Sequence, residues 1–347
     1  MKRFILFFFF GLILHSCQTN YTTRNIEYVN IKQFNINSTN IRAIHAISKD
    51  HLYFAGSNGY IGYTLNEGKS WHIKQLNYQD SIIPHFRSVS LNNSNLFALS
   101  IGNPALLYKI SKNSEKLVYI EHYKDVFYDS MKFFSDGKHG IAVGDPIENC
   151  PSIILTSDGG NTWQKIPCSQ LPKFEKGEAF FAASNTNIKI IDNTVWIASG
   201  GKKARILKSE DTGKTWTVYD TPIVQGNGSQ GIYSIDFYDK KNGIVIGGSY
   251  ASPYNNCANK AITTDGGITW NLIADNQEPS YKSCIQYIPN TKGQEIIAVG
   301  KTGISFSNDG GLTWNEISKD NYYTIQFIDT NTAWLSGNQK IGKLTLN

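Results

Sequence analysis

The chain has 10 Pro, 2 Met and 5 Cys in 347 residues, and its charged residues make up only 18%. Scarce proline beside 13% aromatic residues excludes disorder, and 30 glycines without a triplet period exclude a collagen-like chain. The longest apolar run, Phe4 to Leu14, has 11 residues, well short of the ~20 a membrane-crossing helix needs. A polytopic membrane protein is excluded with it. Two Met against 7 Trp, 19 Tyr and 18 Phe favour sheets over a helix bundle. The net charge of +5 falls to +3 when Lys2 and Arg3 leave with the N-terminal segment, too little for a dedicated nucleic-acid binder. No nucleophile elbow, HExxH or Ser/His/Asp pattern occurs, and no His stands at ligand spacing beside the cysteines. Neither a metal nor a cofactor is expected.

The N-terminus reads as an address. Met1-Lys2-Arg3 is a basic start, the apolar run follows, and Leu14-His15-Ser16-Cys17 resembles a bacterial lipobox, with His15 departing from the small residue usual there. The reading is a signal peptide over 1–16, a lipidated tether over 17–25 beginning at Cys17, and a folded domain over 26–347. Gln18, where Asp would favour inner-membrane retention, points to the outer membrane facing the periplasm. The membrane is met through the lipid alone.

A repeat organises the remainder. Thr156-x-Asp158-x-Gly160-x-Thr162-Trp163 returns at Ser209 with Asp211 and Trp216, at Thr263 with Asp265 and Trp270, and at Ser307 with Asp309 and Trp314. A fifth copy, Thr64 to Trp71, carries Asn66 for Asp. A sixth would fall at 111–115, where the turn glycine and the Trp are missing. The Asp locks a turn by accepting backbone N–H bonds, Gly supplies a positive φ, and the Trp wedges between sheets. Four strands recur around each box, and 26–34 is a lone strand without partners nearby. Placed as the outer strand of the last set, it closes a ring. The expected fold is therefore an all-β propeller of seven four-stranded blades, a monomer.

Alternating strand direction sorts the loops. Asp boxes and tight turns share one face, while the long excursions (77–85, 145–151, 167–177, 221–231, 249–259 and 275–282) share the other. Cys150, Cys168, Cys257 and Cys284 fall on that loop-rich face. Three pairings are open, and Cys150–Cys168 with Cys257–Cys284 is expected because each would brace a long loop. Only five Arg occur. Arg42 and Arg87 begin innermost strands, and Arg205 begins a third strand within its blade. Asp145, Glu178 and Tyr250 also lie at strand ends on this face, so these six form the candidate site. Convergent Arg suits a carboxylate or phosphate, and the same residues read equally well as braces between blades. The run Gly226-Asn227-Gly228-Ser229-Gln230-Gly231 fits a dinucleotide fingerprint, but it opens a strand rather than a helix and is read as a loop.

The repeated motif resembles the BNR/Asp-box of sialidase-type propellers. The Arg-Ile-Pro signature of those enzymes is absent, its nearest analogue being Phe86-Arg87-Ser88. The stretches at 100–105, 127–131, 144–146 and 177–184 resemble photosystem II stability/assembly-factor-like propellers, within them a secreted bacterial subgroup often labelled oxidoreductase. This resemblance implies a propeller that binds a protein partner or an anionic small molecule or glycan, and no nucleic acid. The alternative is an enzyme using the Arg/Asp/Glu/Tyr cluster, a glycan hydrolase or lyase before an oxidoreductase.

Overall fold

The computed structural model describes residues 21–346. The signal segment, Cys17 and the start of the tether lie outside these. Every ladder is antiparallel, and strands that follow in sequence pair in space, as in a propeller. Four sheets have four strands each, starting from His85–Asn92, Tyr128–Phe133, Ile188–Ile191 and Cys284–Tyr287. Two sheets have six strands. The apolar cores lie between neighbouring sheets. In one, Trp163 packs on Phe133 from its own sheet, in a cluster with Phe97 from the sheet before.

Seven separate blades were expected; the ladders form six sheets. The reason is the continuity of two long strands at the seam. Asn30–Ala46 pairs through Asn30–Asn35 with Lys340–Thr345, and through Ile41–Ala46 with Leu52–Gly56. Thr332–Thr345 in turn pairs through Ala333–Ser336 with Thr324–Phe327, with Gln339 at positive φ between its two paired stretches. The two strands run on through an irregularity between Asn35 and Asn40 without ending, so one six-stranded sheet carries both the last repeat and the first. The N-terminal strand does join the last repeat.

The second six-stranded sheet corrects the fourth repeat. Glu178 was expected at the end of an innermost strand, but the innermost strand of this repeat is Ile188–Ile191. Glu178–Ala179 instead pairs with Gly200–Gly201, which pairs at Gly200 with Gly231 of the next repeat, and so joins that repeat's sheet. Gly231 permits this approach: a Cβ there would lie 2.3 Å from the Gly200 Cα. The glycine-rich run of 226–231 therefore opens the strand Gln230–Phe237 at a close sheet contact.

The Asp boxes are alike in detail. Thr156 Oγ1 donates to Asp158 Oδ1 at 2.8 Å, which also accepts the N–H groups of Asn161 and Thr162. Asp211, Asp265 and Asp309 each accept from the Thr that precedes their Trp in the same manner. These bonds hold Asp158, Asp211 and Asp265 at about 2, outweighing the opposing effect of desolvation, the largest single contribution.

Cys150–Cys168 forms a disulfide. Cys257–Cys284 does not: Cys257 is exposed, and Cys284 is buried. Cys284 opens the innermost strand Cys284–Tyr287, so its thiol enters the core beside Thr324 and the Ile325 carbonyl. The first described residues are clamped on the Asp-box face. Tyr21 Oη and the Arg24 guanidinium both donate to the buried Glu295 carboxylate, and Asn308 of an Asp box donates to the Arg24 carbonyl.

Candidate functional site

Residues 179–186 cross the central channel. Asp145 accepts the Phe180 N–H at 2.8 Å, and Arg87 and Arg42 donate to the carbonyls of Ala182 and Ala183. Beyond them, Ser184 Oγ donates to the Ser283 carbonyl, and Asn185 donates to the Val89 carbonyl and accepts the Met131 N–H. Innermost strands from several sheets thus grip one irregular segment, turned at 182–185. It divides the channel into a chamber of about 650 Å3 on the loop-rich face and one of about 230 Å3 on the Asp-box face.

The upper chamber is cationic and aromatic. Arg42, Arg87 and Lys301 line it with Asp145, Phe127, and the rings of Tyr233, Tyr250, Tyr281 and Tyr323. The Arg42 guanidinium lies 4.0 Å over the Tyr323 ring, a cation–π contact. Tyr233 stacks on Phe181 at 3.9 Å and meets Tyr281 edge-on. Burial, and then the charge of Arg42, push Arg87 down to about 10, so it stays cationic at neutral pH. Burial pushes the Asp145 carboxyl up to about 6 despite the Phe180 hydrogen bond.

Local backbone geometry aims these groups. Register shifts fall at Arg42, Arg87, Asp129 and Tyr233, at the loop-face ends of four innermost strands. A bulge turns one side chain off the alternation of its strand, and here it does so at the channel mouth. Asp129 lies fully buried beneath the chamber, where burial and the neighbouring Asp145 hold its carboxyl well above the usual range.

Four of the six candidates therefore share one cavity: Arg42, Arg87, Asp145 and Tyr250. Glu178 and Arg205 do not line it. They pair with each other, Arg205 Nε to Oε1 at 2.9 Å and the guanidinium nitrogen to Oε2 at 2.6 Å, and Ser199 Oγ donates to Oε1 as well. That pair braces the loop before the crossing segment. Sequence reasoning missed Asp129, Tyr233, Tyr281, Lys301 and Tyr323. Asp129 at least lay within the 127–131 stretch already singled out. The lower chamber holds Lys132, pushed down to about 8 by burial and by Lys189, itself paired to Asp236 at 2.5 Å. Among the described residues, no group of three or more His, Cys, Asp or Glu is placed to hold a metal.

Comparison with known proteins agrees with this architecture. The BNR/Asp-box repeat family matches residues 261–272, one box and the strands beside it. None of the curated proteins matches. Among solved structures, YCF48 bound to D1 peptide is 15% identical over 93% of this chain and 100% of its own, with a TM-score of 0.65. YCF48 from Cyanidioschyzon merolae is 14% identical over 91% and 98%, TM-score 0.60. The WD40 repeats of RRP9 fit as well, at 8% identity over 93% and 100%, TM-score 0.66. At these identities the likeness is one of fold, and the fold is a β-propeller bearing BNR-type repeats.

Proposed function

We propose that this chain is a lipid-anchored envelope propeller that binds a protein partner through the upper chamber, as an assembly or stability factor. The observation that carries the reading is the chamber itself. Two half-buried Arg and a rimming Lys surround an aromatic-walled recess of about 650 Å3 that is closed below. Such a surface suits an anionic group on a polypeptide segment, which the guanidinium forks hold while the rings pack its apolar parts. The fold likeness to a propeller solved with a peptide supports the same choice. Arg42 and Arg87 are partly spent on the crossing segment, so the ligand meets their remaining N–H groups and Lys301.

A second reading rests on Asp145. It lines the chamber without an Arg hydrogen bond, and a carboxyl near 6 can donate or accept a proton at neutral pH. Glycan hydrolysis ordinarily takes two carboxyl groups flanking the substrate. Asp129 is buried beneath the cavity and Glu178 is committed to Arg205, so the chamber offers one. Binding is favoured for that reason.

The test is photo-crosslinking from position 250 in the full-length chain within the native envelope, with Lys301→Glu as the comparison. One specific adduct that Lys301→Glu abolishes, while its melting temperature stays at the parent value, supports a charged partner site. Absence of any specific adduct, or the same adduct in both, sinks it. Turnover of a uronic-acid or sialic-acid glycan that Asp145→Asn abolishes would move the assignment to the second reading.

A further inference from the structure

Outside the chamber, one joint between repeats lacks its box Trp and is left open; the joint between the repeat of 284–318 and the last repeat also lacks one, but is filled by Ile26, Tyr322 and Leu344. The Trp of each Asp box fills the space between its own sheet and the strands of the repeat before. Trp71 packs against Phe34, Phe54 and Trp334; Trp270 packs against Phe237, in a cluster with Trp196; Trp314 packs with Ile244 and Ile296. Trp216 likewise lies against the residues of two successive repeats. Between strands 52–75 and strands 85–121 the box is replaced by a short turn at 111–114, closed by the Ser111 N–H on the Ser114 carbonyl at 2.8 Å. There is no indole to fill the joint. In its place lies an open groove of about 590 Å3 lined by Tyr53, Tyr63, Leu65, Ile73, Leu96 and Ile110. Leu65 and Ile73 are 47% and 45% exposed there.

We propose that this groove is a docking site for a Trp side chain of a partner protein, presented on a turn and flanked by an acidic residue. Five equivalent joints in the same molecule take an indole delivered by a turn, so the shape of the vacancy is set by its own repeat. Tyr63 stacks on His72 at 4.8 Å, a platform for a further ring. The charge at the rim fits the flanking acid. Lys74 is paired with Glu115, whereas Lys112 has no ion-pair partner among the described residues. Apolar patches of this kind on a folded surface mark interaction sites. The groove lies on the outer rim by the Asp-box face and shares no lining residue with the upper chamber.

The test uses the full-length chain and a fluorinated probe, N-acetyl-5-fluoro-Trp-Asp-amide, followed by fluorine NMR. The expected result is saturable line broadening with a dissociation constant on the order of 1 mM, which an excess of N-acetyl-Leu-Asp-amide as competitor leaves in place. Ile73→Lys, on an exposed position, weakens binding at least tenfold with an unchanged melting temperature. Replacing 111–114 with the box sequence of 156–163 abolishes probe binding and raises the melting temperature, because the chain then fills its own groove. No broadening by the parent protein overturns the proposal, as does equal broadening by Ile73→Lys or equal competition by the Leu peptide. Self-association that the grafted box removes would assign the groove to a second copy instead, and also overturns it.

Discussion

The two faces of this propeller use aspartate in opposite ways. On the Asp-box face, Asp158 is exposed and Asp211 and Asp265 are partly so; all three accept several N–H and O–H bonds and sit at about 2. On the loop-rich face, Asp145 and Asp129 are withdrawn from water and pushed upward, Asp145 to about 6. The first set keeps its charge and locks turns; the second holds protons available beside Arg. Repetition supplies rigidity on one side, and departure from repetition supplies a chemically distinctive cavity on the other.

The largest effect should come from the pair that separates these roles. Glu178→Ala leaves Arg205 charged and partly buried, and removing one member of such a pair costs about 3–5 kcal/mol. Urea unfolding would measure it; a loss under about 1 kcal/mol would mean that the pair is a surface contact and the loop before the chamber is held otherwise. Next is the disulfide. Cys150→Ser with Cys168→Ser opens a link spanning 18 residues, at a cost of about 3 kcal/mol. Cys257→Ser should leave the midpoint unchanged, and intact-mass alkylation under denaturing conditions should count both Cys257 and Cys284 as thiols.

Acidity gives the sharpest contrast. Because Asp145 is raised in the fold, its contribution favours folding below the ordinary carboxylate value, then declines as pH rises towards 6. Asp145→Asn keeps an acceptor for the Phe180 N–H and should flatten that decline, by on the order of 2–3 kcal/mol. The box carboxylates run the other way, stabilising above about 4 and losing that contribution as pH falls towards 2. Asp211→Asn should therefore steepen nothing above pH 5 and cost about 1 kcal/mol at neutral pH. If both variants changed stability over the same pH range, the contrast between the faces would collapse.

Much of the scaffold was legible because an Asp box needs its residue types at fixed spacing. The turn, its Gly, its Trp and hence the succession of sheets all follow from one motif. The seam was not, since nothing in 36–41 marks where one ladder hands over to the next within a single extended strand. Where a strand end fixed direction, as for Arg42 and Arg87, the expected position at the channel mouth matches the structure. Glu178 falls apart from them because the crossing segment moves the innermost strand start to Ile188, and Arg205, which does open its strand, turns to pair with Glu178 instead of lining the chamber. Asp129 and Tyr233 reach the chamber region through bulges, which carry no signature in these residues. Cys284 shows the same limit: one position decides whether a thiol meets a loop or the core.

The segment 179–186 has one more consequence. A ring with an open axis could admit a strand at one face and release it at the other. Here the bore is stoppered by the chain itself, so the upper chamber is blind-ended, with a single mouth for arrival and departure. Whatever enters must be a tip rather than a thread: a chain end, a loop or one projecting side chain, with the rest of its bearer left outside against the surrounding loops.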